Sequence, residues 1–506
     1  MQRILFWVAL GVFYFPLIGC RAADEPRPPN IIIVFADDLG YGDLSCFGHP
    51  TLITPHLDRM AGEGVRLTSF YAQPSCTPSR AALLTGRQPM RSGMYRVIFP
   101  EEDVSLPASE LTLAEALKGQ GYRTAAIGKW HLWHKQVEDY PISHGFDEYY
   151  GLLYSNDMIP PWVPTEVPLR LYRNASPVEH PVDQSTLSER YTEEAVKWIR
   201  GWKDSPFFIY LAHTMPHQPL SASEKFLRTS PRGLYGDVVT TIDRGVGRIL
   251  ETLQEEGIDE DTLVIFTSDN GPWLTLKQYG GSAGLLREGK GWTYEGGIRV
   301  PFIARWPGRL PAQLVKGGIA STMDIYSTCL RLTGAEIPSD RIVDGKDILP
   351  MLTGEGQSPH ETFFYYSGTR LEAVREGKWK LRIGRSSAGD GSISTELFDL
   401  EVDPSEKFDL ADAFPERVES LNAFLENEKS EMVPEPADAP RALPPPGRRQ
   451  NQTSRSLRNR QMIMPIPVFP LGLTPVRHLA FARARHPSRV SFDLGRSIAG
   501  LQRQRS

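Results

Sequence analysis

Short apolar runs recur through the first half of the chain, and each is followed at once by polar residues able to do chemistry. Ile31 to Phe35 leads into Ala36-Asp37-Asp38-Leu39-Gly40, and Tyr122 to Ile127 into Gly128-Lys129-Trp130-His131. Phe207 to Leu211 leads to His213 and His217, and Thr262 to Thr267 leads to Ser268-Asp269-Asn270-Gly271. Continuous apolar runs of this length, bounded by turn residues, predict strands buried on both faces of a sheet. They alternate with helical stretches such as Leu113 to Lys118 and Tyr191 to Trp202, which predicts an α/β fold. In open α/β sheets the ligand site lies outside the carboxyl ends of the strands, so these scattered residues are expected to converge on one site. The pattern changes further on. Phe363-Phe364-Tyr365-Tyr366, Lys378 to Arg382 and Glu396 to Leu400 predict alternating strands, with Asp403-Pro404 as a turn signal.

A chain of 506 residues, 40% apolar and 23% charged, is ample for a large α/β domain and a second, smaller one. The main domain is expected over residues 27–350 and a small C-terminal α+β domain over 361–432, with a helix near Pro415 to Lys429. Residues 433–506 read as a Pro-rich linker and a disordered tail. From Arg441 onward there are thirteen Arg, no Lys and one acidic residue, Asp493. A dispensable extension is favoured over a basic arm for an anionic polysaccharide or a membrane. Residues 1–23 read as an export signal, with Arg3 ahead of an apolar run from Ile4 to Gly19 that is too short to be preferred as a membrane anchor. Leu17-Ile18-Gly19-Cys20 also resembles a bacterial lipobox. Two outcomes therefore stay open: lipidation of Cys20, tethering the protein to a membrane, or cleavage after Ala22 or Ala23, releasing it to the periplasm or the medium. After processing, Cys46 and Cys329 accompany Cys76, and whether they pair is left open; the count excludes a disulfide-built scaffold. Asn174-Ala175-Ser176 and Asn451-Gln452-Thr453 are glycosylation sequons.

Cys76-Thr77-Pro78-Ser79-Arg80 runs on into Ala81-Ala82-Leu83-Leu84-Thr85-Gly86-Arg87. Pro78 suits the first helical position, Ala81 to Leu84 are good helix formers, and Gly86 ends the run. Cys76 is thereby placed at a helix N-terminus, where free N–H groups and the macrodipole favour anions. A buried structural cysteine is the bland alternative. Asp37, Asp38, Asp269 and Asn270 are hard oxygen ligands without a thiolate or clustered imidazole among them, which favours Ca2+ or Mg2+ over Zn2+. Singly, each is ordinary turn chemistry; together they point to a metal site.

In order and approximate spacing, five motifs resemble those of sulfatases of the arylsulfatase A type: Asp37 to Asp43, the Cys76 motif, Gly128 to His131, Ser268 to Gly271 and Gly289-Lys290-Gly291-Trp292-Thr293-Tyr294-Glu295-Gly296-Gly297. The stretch from Lys225 to Leu250 also looks like N-acetylgalactosamine-6-sulfatase, and the resemblance as a whole runs from about Pro29 to about Leu410. It implies an alkaline-phosphatase-like fold: a large mixed sheet flanked by helices, with a smaller C-terminal antiparallel-sheet domain. It implies that a formylglycine-generating enzyme oxidises Cys76 to formylglycine. Asp37, Asp38, Asp269 and Asn270 would hold Ca2+, ahead of Mg2+, together with the oxidised Cys76. Arg80 would hold the hydrated aldehyde near the metal, and Lys129, His131, Ser155, His217 and Lys290 match the sulfate-binding and proton-transfer positions. His217, in Pro216-His217-Gln218-Pro219, is preferred to His213. In the mechanism the resemblance implies, one aldehyde-hydrate hydroxyl, deprotonated with help from Asp269, attacks sulfur while His217 and Lys290 protonate the leaving oxygen. The other hydroxyl then expels sulfate with help from His131. Trp133 departs from the family's commoner Gly, and a ring there could narrow the pocket or stack on a sugar.

Two other readings are weighed against a sulfatase. Among phosphoester hydrolases of the same fold, the zinc-using members would favour a Ser or Thr nucleophile and more His and Asp ligands, which these motifs do not supply. A non-catalytic binder of sulfated glycans would be expected to have lost part of the site. The expected partner is a sulfated small molecule or glycan, with no nucleic acid, and specificity is assigned to the loops Val137 to Pro181 and Trp273 to Leu286.

Overall fold

The computed structural model describes residues 27–133 and 135–432; the export signal with Cys20, the linker, the Arg-rich tail and the Asn451 sequon lie outside the described residues. The apolar runs become the middle of an eleven-stranded mixed sheet. In chain order its strands are β1 (Asn30–Ala36), β2 (Val65–Tyr71), β3 (Arg123–Lys129), β4 (Glu148–Leu152), β5 (Leu171–Arg173), β6 (Ser176–Glu179), β7 (Phe207–Ala212), β8 (Thr262–Ser268), β9 (Arg299–Arg305), β10 (Leu314–Lys316) and β11 (Ala320–Ser321). Their order across the sheet is β10-β2-β9-β8-β1-β7-β3-β4-β5-β6, with β11 beside β2. The five central strands β8, β1, β7, β3 and β4 are mutually parallel. Antiparallel β9 separates β8 from β2, so β2 again points the same way as the central strands.

Every residue of β1, β7 and β8 is buried, as continuous apolar strands covered on both faces require. The covering helices form two groups. In one, α1 (Pro55–Gly62) and α4 (Leu187–Trp202) pack on α5 (Leu234–Glu255); in the other, α2 (Cys76–Thr85) and α3 (Leu113–Gly119) pack on α7 (Thr322–Thr333). In chain order the one-turn α6 (Glu295–Ile298) falls between α5 and α7, and α8 (Leu349–Thr353) follows α7. The helix of the Cys76 motif begins two residues earlier than expected. Cys76 rather than Pro78 is its first residue, and Ser79 N–H makes the first intrahelical bond, to Ser75 O at 3.2 Å. Pro78 is tolerated as the third residue because the first turn's N–H groups have no intrahelical acceptor anyway.

A second, four-stranded antiparallel sheet follows, in the order β12 (Thr362–Ser367), β13 (Arg370–Glu376), β14 (Trp379–Arg385), β15 (Ile393–Asp399). One face packs Val374, Leu381 and Leu397 against Leu421 and Leu425 of α9 (Pro415–Glu431). The other face carries Phe363, Tyr365 and Ala373 onto Tyr71, Ala82, Ile298 and Met323 of the main sheet and its helices. Cys46 and Cys329 are both free thiols, which settles the open question of their pairing.

Gly128, at the end of β3, combines a left-handed backbone (φ 95°) with close packing, since a Cβ there would lie 1.9 Å from Ala212 O of the neighbouring strand. Gly128→Ala is expected to destabilise the protein by about 2–4 kcal/mol, from backbone strain plus overpacking, read as a lower midpoint in urea unfolding. An unchanged midpoint would show that β3 and β7 can separate at this point without cost.

Candidate active site

The parallel strands deliver their chemistry to one edge of the sheet. Asp37 and Asp38 follow β1, Lys129 ends β3 with His131 two residues on, Ser155 follows β4, His213 and His217 follow β7, and Asp269 and Asn270 follow β8. Cys76 follows β2 at the same edge, and Lys290 precedes the antiparallel β9, whose amino end lies there too.

Most of these side chains touch one another out of contact with water. Arg80, one turn along α2 from Cys76, forks its guanidinium: Nη2 binds Asp269 Oδ2 at 2.9 Å and Asp37 Oδ2 at 3.2 Å, while Nη1 donates to Lys129 O at 2.8 Å. The Arg80 guanidinium also lies over the Phe35 ring, 5.6 Å from its centroid. Lys129 Nζ donates to Asp37 Oδ2 at 2.5 Å. Lys290 Nζ bridges both oxygens of Asp38 at 2.7 and 2.9 Å, and Asn270 Nδ2 donates to Asp38 Oδ1 at 2.7 Å. Asp38 has a left-handed backbone (φ 64°), and its N–H donates to Asp269 Oδ1 at 3.0 Å. Ser79, between Cys76 and Arg80, donates its hydroxyl to Asp269 O and ties the helix directly to the β8 loop.

The electrostatics follow from this packing. Burial would raise the Asp37 carboxyl, but the charges of Lys129, His217, Arg80 and Lys290 hold it far below the ordinary range. Burial and the neighbouring Asp37 charge push Asp269 up. Burial likewise raises the Cys76 thiol. Lys290 is held upward, against its own burial, by Asp38 and by the Cys76, Asp37 and Asp269 groups.

The two histidines after β7 are separated by geometry. His217 presents Nε2 to Asp38 Oδ2 at 3.6 Å, while its Nδ1 lies 2.7 Å from Gln218 O and so carries the proton there. His213 is buried away from these groups, with neither ring nitrogen hydrogen-bonded among the described residues, and burial lowers it to about 4. His131 Nε2 lies 3.0 Å from Ile98 O, which assigns its proton to Nε2 and leaves Nδ1 buried without a partner among the described residues; burial and Lys129 keep the ring well below its ordinary pKa. Ser155 is buried, its hydroxyl also without a hydrogen-bond partner among the described residues. Trp133 is buried, with Lys135 Nζ 5.2 Å from its ring centroid, so its surface is taken up by the protein rather than open to stack on a sugar.

Trp273 carries no sequence signal beyond its place at the start of the Trp273 to Leu286 loop, yet its ring is 5.5 Å from that of His217 and 5.1 Å from Lys290 Nζ. A narrow recess beside it is lined by Asp38, Pro216, Gln218, Tyr235 and Tyr279.

Asp37, Asp38 and His217 place a ligand atom each within 4.8 Å of one another. Asp37 Oδ1 and Asn270 Oδ1 are buried oxygens with no hydrogen-bond partner among the described residues. Oxygens of this kind are donors that a hard cation satisfies, so the residue set fits Ca2+ or Mg2+ better than a thiophilic metal.

Residues 29–335 match the family model described as Sulfatase, and residues 288–432 match the model described as N-sulphoglucosamine sulphohydrolase, C-terminal. The chain is 39% identical over 466 residues to N-acetylgalactosamine-6-sulfatase of Mus musculus, covering 82% of this chain and 89% of that protein. It is 39% identical over 440 residues to arylsulfatase A of Homo sapiens, covering 78% and 86%. Among solved structures, the PsFucS1 sulfatase from Pseudoalteromonas sp. matches with a TM-score of 0.74 at 31% identity, covering 80% of this chain and 90% of that one. The strand-end site thus stands inside a region that the family model and these relatives both span, and the chain belongs to the sulfatase family, an arylsulfatase-like sulfuric ester hydrolase.

Proposed function

We propose that this sulfatase cleaves sulfate monoesters, chiefly on a sulfated carbohydrate, using Cys76 converted to formylglycine and a Ca2+ held by Asp37, Asp38, Asp269, Asn270 and the converted Cys76. The observation that carries the reading is the placement of Cys76. It opens α2 within the field of Lys129, Lys290 and the Asp37 and Asp269 carboxylates, one helical turn from Arg80. When present, the hydrated aldehyde supplies one hydroxyl to attack sulfur and a second to release sulfate, and the cation polarises the oxygens around it.

The chain's own residues supply the rest. Arg80, Lys129 and Lys290 balance the carboxylates and offer positive charge to sulfate oxygens in a site shielded from water, where such interactions are strong. His217 Nε2, once the ring is protonated at both nitrogens, and Lys290 Nζ both face Asp38 and are placed to give a proton to the leaving oxygen. His131 Nδ1, unprotonated and without another partner among the described residues, is placed to take a proton when sulfate departs. The carbohydrate assignment rests on relatives. One is named N-acetylgalactosamine-6-sulfatase, and a structure 30% identical to this chain, Ps i-CgsB, is in complex with k-i-k-neocarrahexaose. Cys76 is 2% exposed and all ten residues of α2 are buried, so the formylglycine-generating enzyme has to act before this helix packs. Export, with or without lipidation of Cys20, belongs to the same reading.

Peptide mass spectrometry of the Cys76 region, on protein made beside a formylglycine-generating enzyme, is expected to find the aldehyde, together with turnover of a chromogenic aryl sulfate. Cys76→Ser and Cys76→Ala are expected to abolish multiple turnover; turnover of the Ser variant at the wild-type rate would refute the aldehyde mechanism. The metal assignment has a readout independent of activity. Ca2+ at about 100 times its dissociation constant is expected to stabilise the folded protein by about 2.7 kcal/mol, seen as a rise in thermal midpoint after chelator treatment and Ca2+ return. Asn270→Ala is expected to blunt that rise, and an equal rise in both proteins would remove Asn270 from the ligand set.

A further inference from the structure

Lys380 and Arg382 stand two apart on β14 and so share a face of the small sheet, yet neither side chain is exposed at all. That face is pressed against the segment that carries Lys290. Lys380 Nζ has three protons and finds three acceptors: Thr293 O at 2.8 Å, Glu295 Oε1 at 2.9 Å and Glu406 Oε1 at 2.8 Å. Glu406 returns with its other oxygen, accepting from the Glu295 N–H at 2.7 Å. The Thr293 hydroxyl donates to Glu372 Oε2 at 2.7 Å and accepts from Arg382 Nε at 3.1 Å.

Residues 289–294 form neither helix nor strand; a single turn, closed by Trp292 N–H on Gly289 O at 3.1 Å, shapes the backbone around Lys290 without anchoring it to the site. Its position is set by outside ties. Lys290 N–H donates to Pro272 O at 3.0 Å, beside the Asp269-Asn270 loop, and Gly291 N–H donates to Pro74 O at 2.8 Å, two residues before Cys76. A further hold, on residues 293–295, comes from β14 and from Glu406 beyond β15. Glu295 extends it to the Cys76 loop as well, since its Oε2 accepts from the hydroxyl of Tyr71, the last residue of β2, at 2.7 Å. A buried ion cluster is a poor source of stability, because apolar residues of similar volume often serve as well or better. What this cluster supplies that an apolar contact could not is a fixed backbone path from residue 293 to residue 295.

We propose that Lys380 and Glu406 are positioning residues for sulfate ester cleavage, holding the 289–297 segment so that the Lys290 ammonium meets the leaving oxygen; this rests on the assignment of Lys290 as a proton donor made above. The small sheet is then part of the reaction machinery rather than an appendage. A merely structural role would reduce the amount of active protein and slow all substrates alike. A positioning role costs most where the leaving group is poor and needs its proton.

The test uses the full chain with two single substitutions, Lys380→Met and the milder Glu406→Gln, the second keeping the question answerable should the first not fold. In hydrogen-exchange mass spectrometry on protein without the aldehyde, amides of residues 289–297 are expected to exchange about tenfold faster while those of β1 and β8 keep their protection. In protein carrying the aldehyde, the ratio of kcat/KM for phenyl sulfate to that for 4-nitrophenyl sulfate is expected to fall about tenfold, with Lys290→Ala as the reference for complete loss of the donor. If Lys290→Ala lowers the ratio but the two variants keep wild-type exchange or lose both substrates equally, the positioning role is overturned. If Lys290→Ala itself leaves the ratio unchanged, the proton-donor assignment fails and this proposal with it.

Discussion

Charge balance among side chains buried from solvent is the constraint on which this molecule rests. Asp37, Asp38 and Asp269 are buried within reach of one another, and like charges so placed repel strongly unless matched. Arg80, Lys129 and Lys290 match them one for one. The six arrive from five stretches of chain: Asp37 and Asp38 share the end of β1, and the others come from α2, β3, β8 and the segment before β9. The balance can therefore exist only when the sheet has its observed order and β9 runs antiparallel to its neighbours. The fold is what makes the charge cluster tolerable, and the cluster in turn ties β1, β3, β8 and α2 together at one edge.

That edge was largely legible in the sequence, because four of the central strands are unbroken apolar runs that stop abruptly at chemistry-bearing residues. β2 and β9 were harder to see for a definite reason. Val65-Arg66-Leu67-Thr68-Ser69-Phe70-Tyr71 mixes polar residues into a strand buried at most positions, and β9 begins and ends with arginines. Arg305 is buried only because Asp259 and Glu63 meet it at 2.6 Å, partners far away in sequence that no local pattern announces. α2 starts two residues before the point that Pro78 marks as a first helical position, because a proline is also accommodated at the third. Trp273 gave no sign of its place beside His217 and Lys290, since loop geometry and not periodicity puts it there.

The small sheet illustrates a different limit. In Lys378-Trp379-Lys380-Leu381-Arg382 the alternation correctly indicates a strand with an apolar face, occupied by Leu381 against α9. Alternation alone would send Lys380 and Arg382 to solvent. Both are instead enclosed, because Glu295, Glu396 and Glu406 accept hydrogen bonds from them and Glu372 pairs with Arg382 at 3.6 Å. A polar face seals against another surface when the second surface supplies matching groups, and period-two patterning contains no information about that match.

The same topology sets a timetable for the nascent chain. β1 lies between β7 and β8, and the Asp38 N–H bonds to an aspartate 231 positions later. Nothing at the N-terminal side of the site can close until most of the main sheet has left the ribosome, and pairings this distant in sequence form slowly. Through that interval the early strands are open to wrong partners, which makes folding assistance valuable. It is also a long interval in which Cys76, later sealed inside α2, stands accessible.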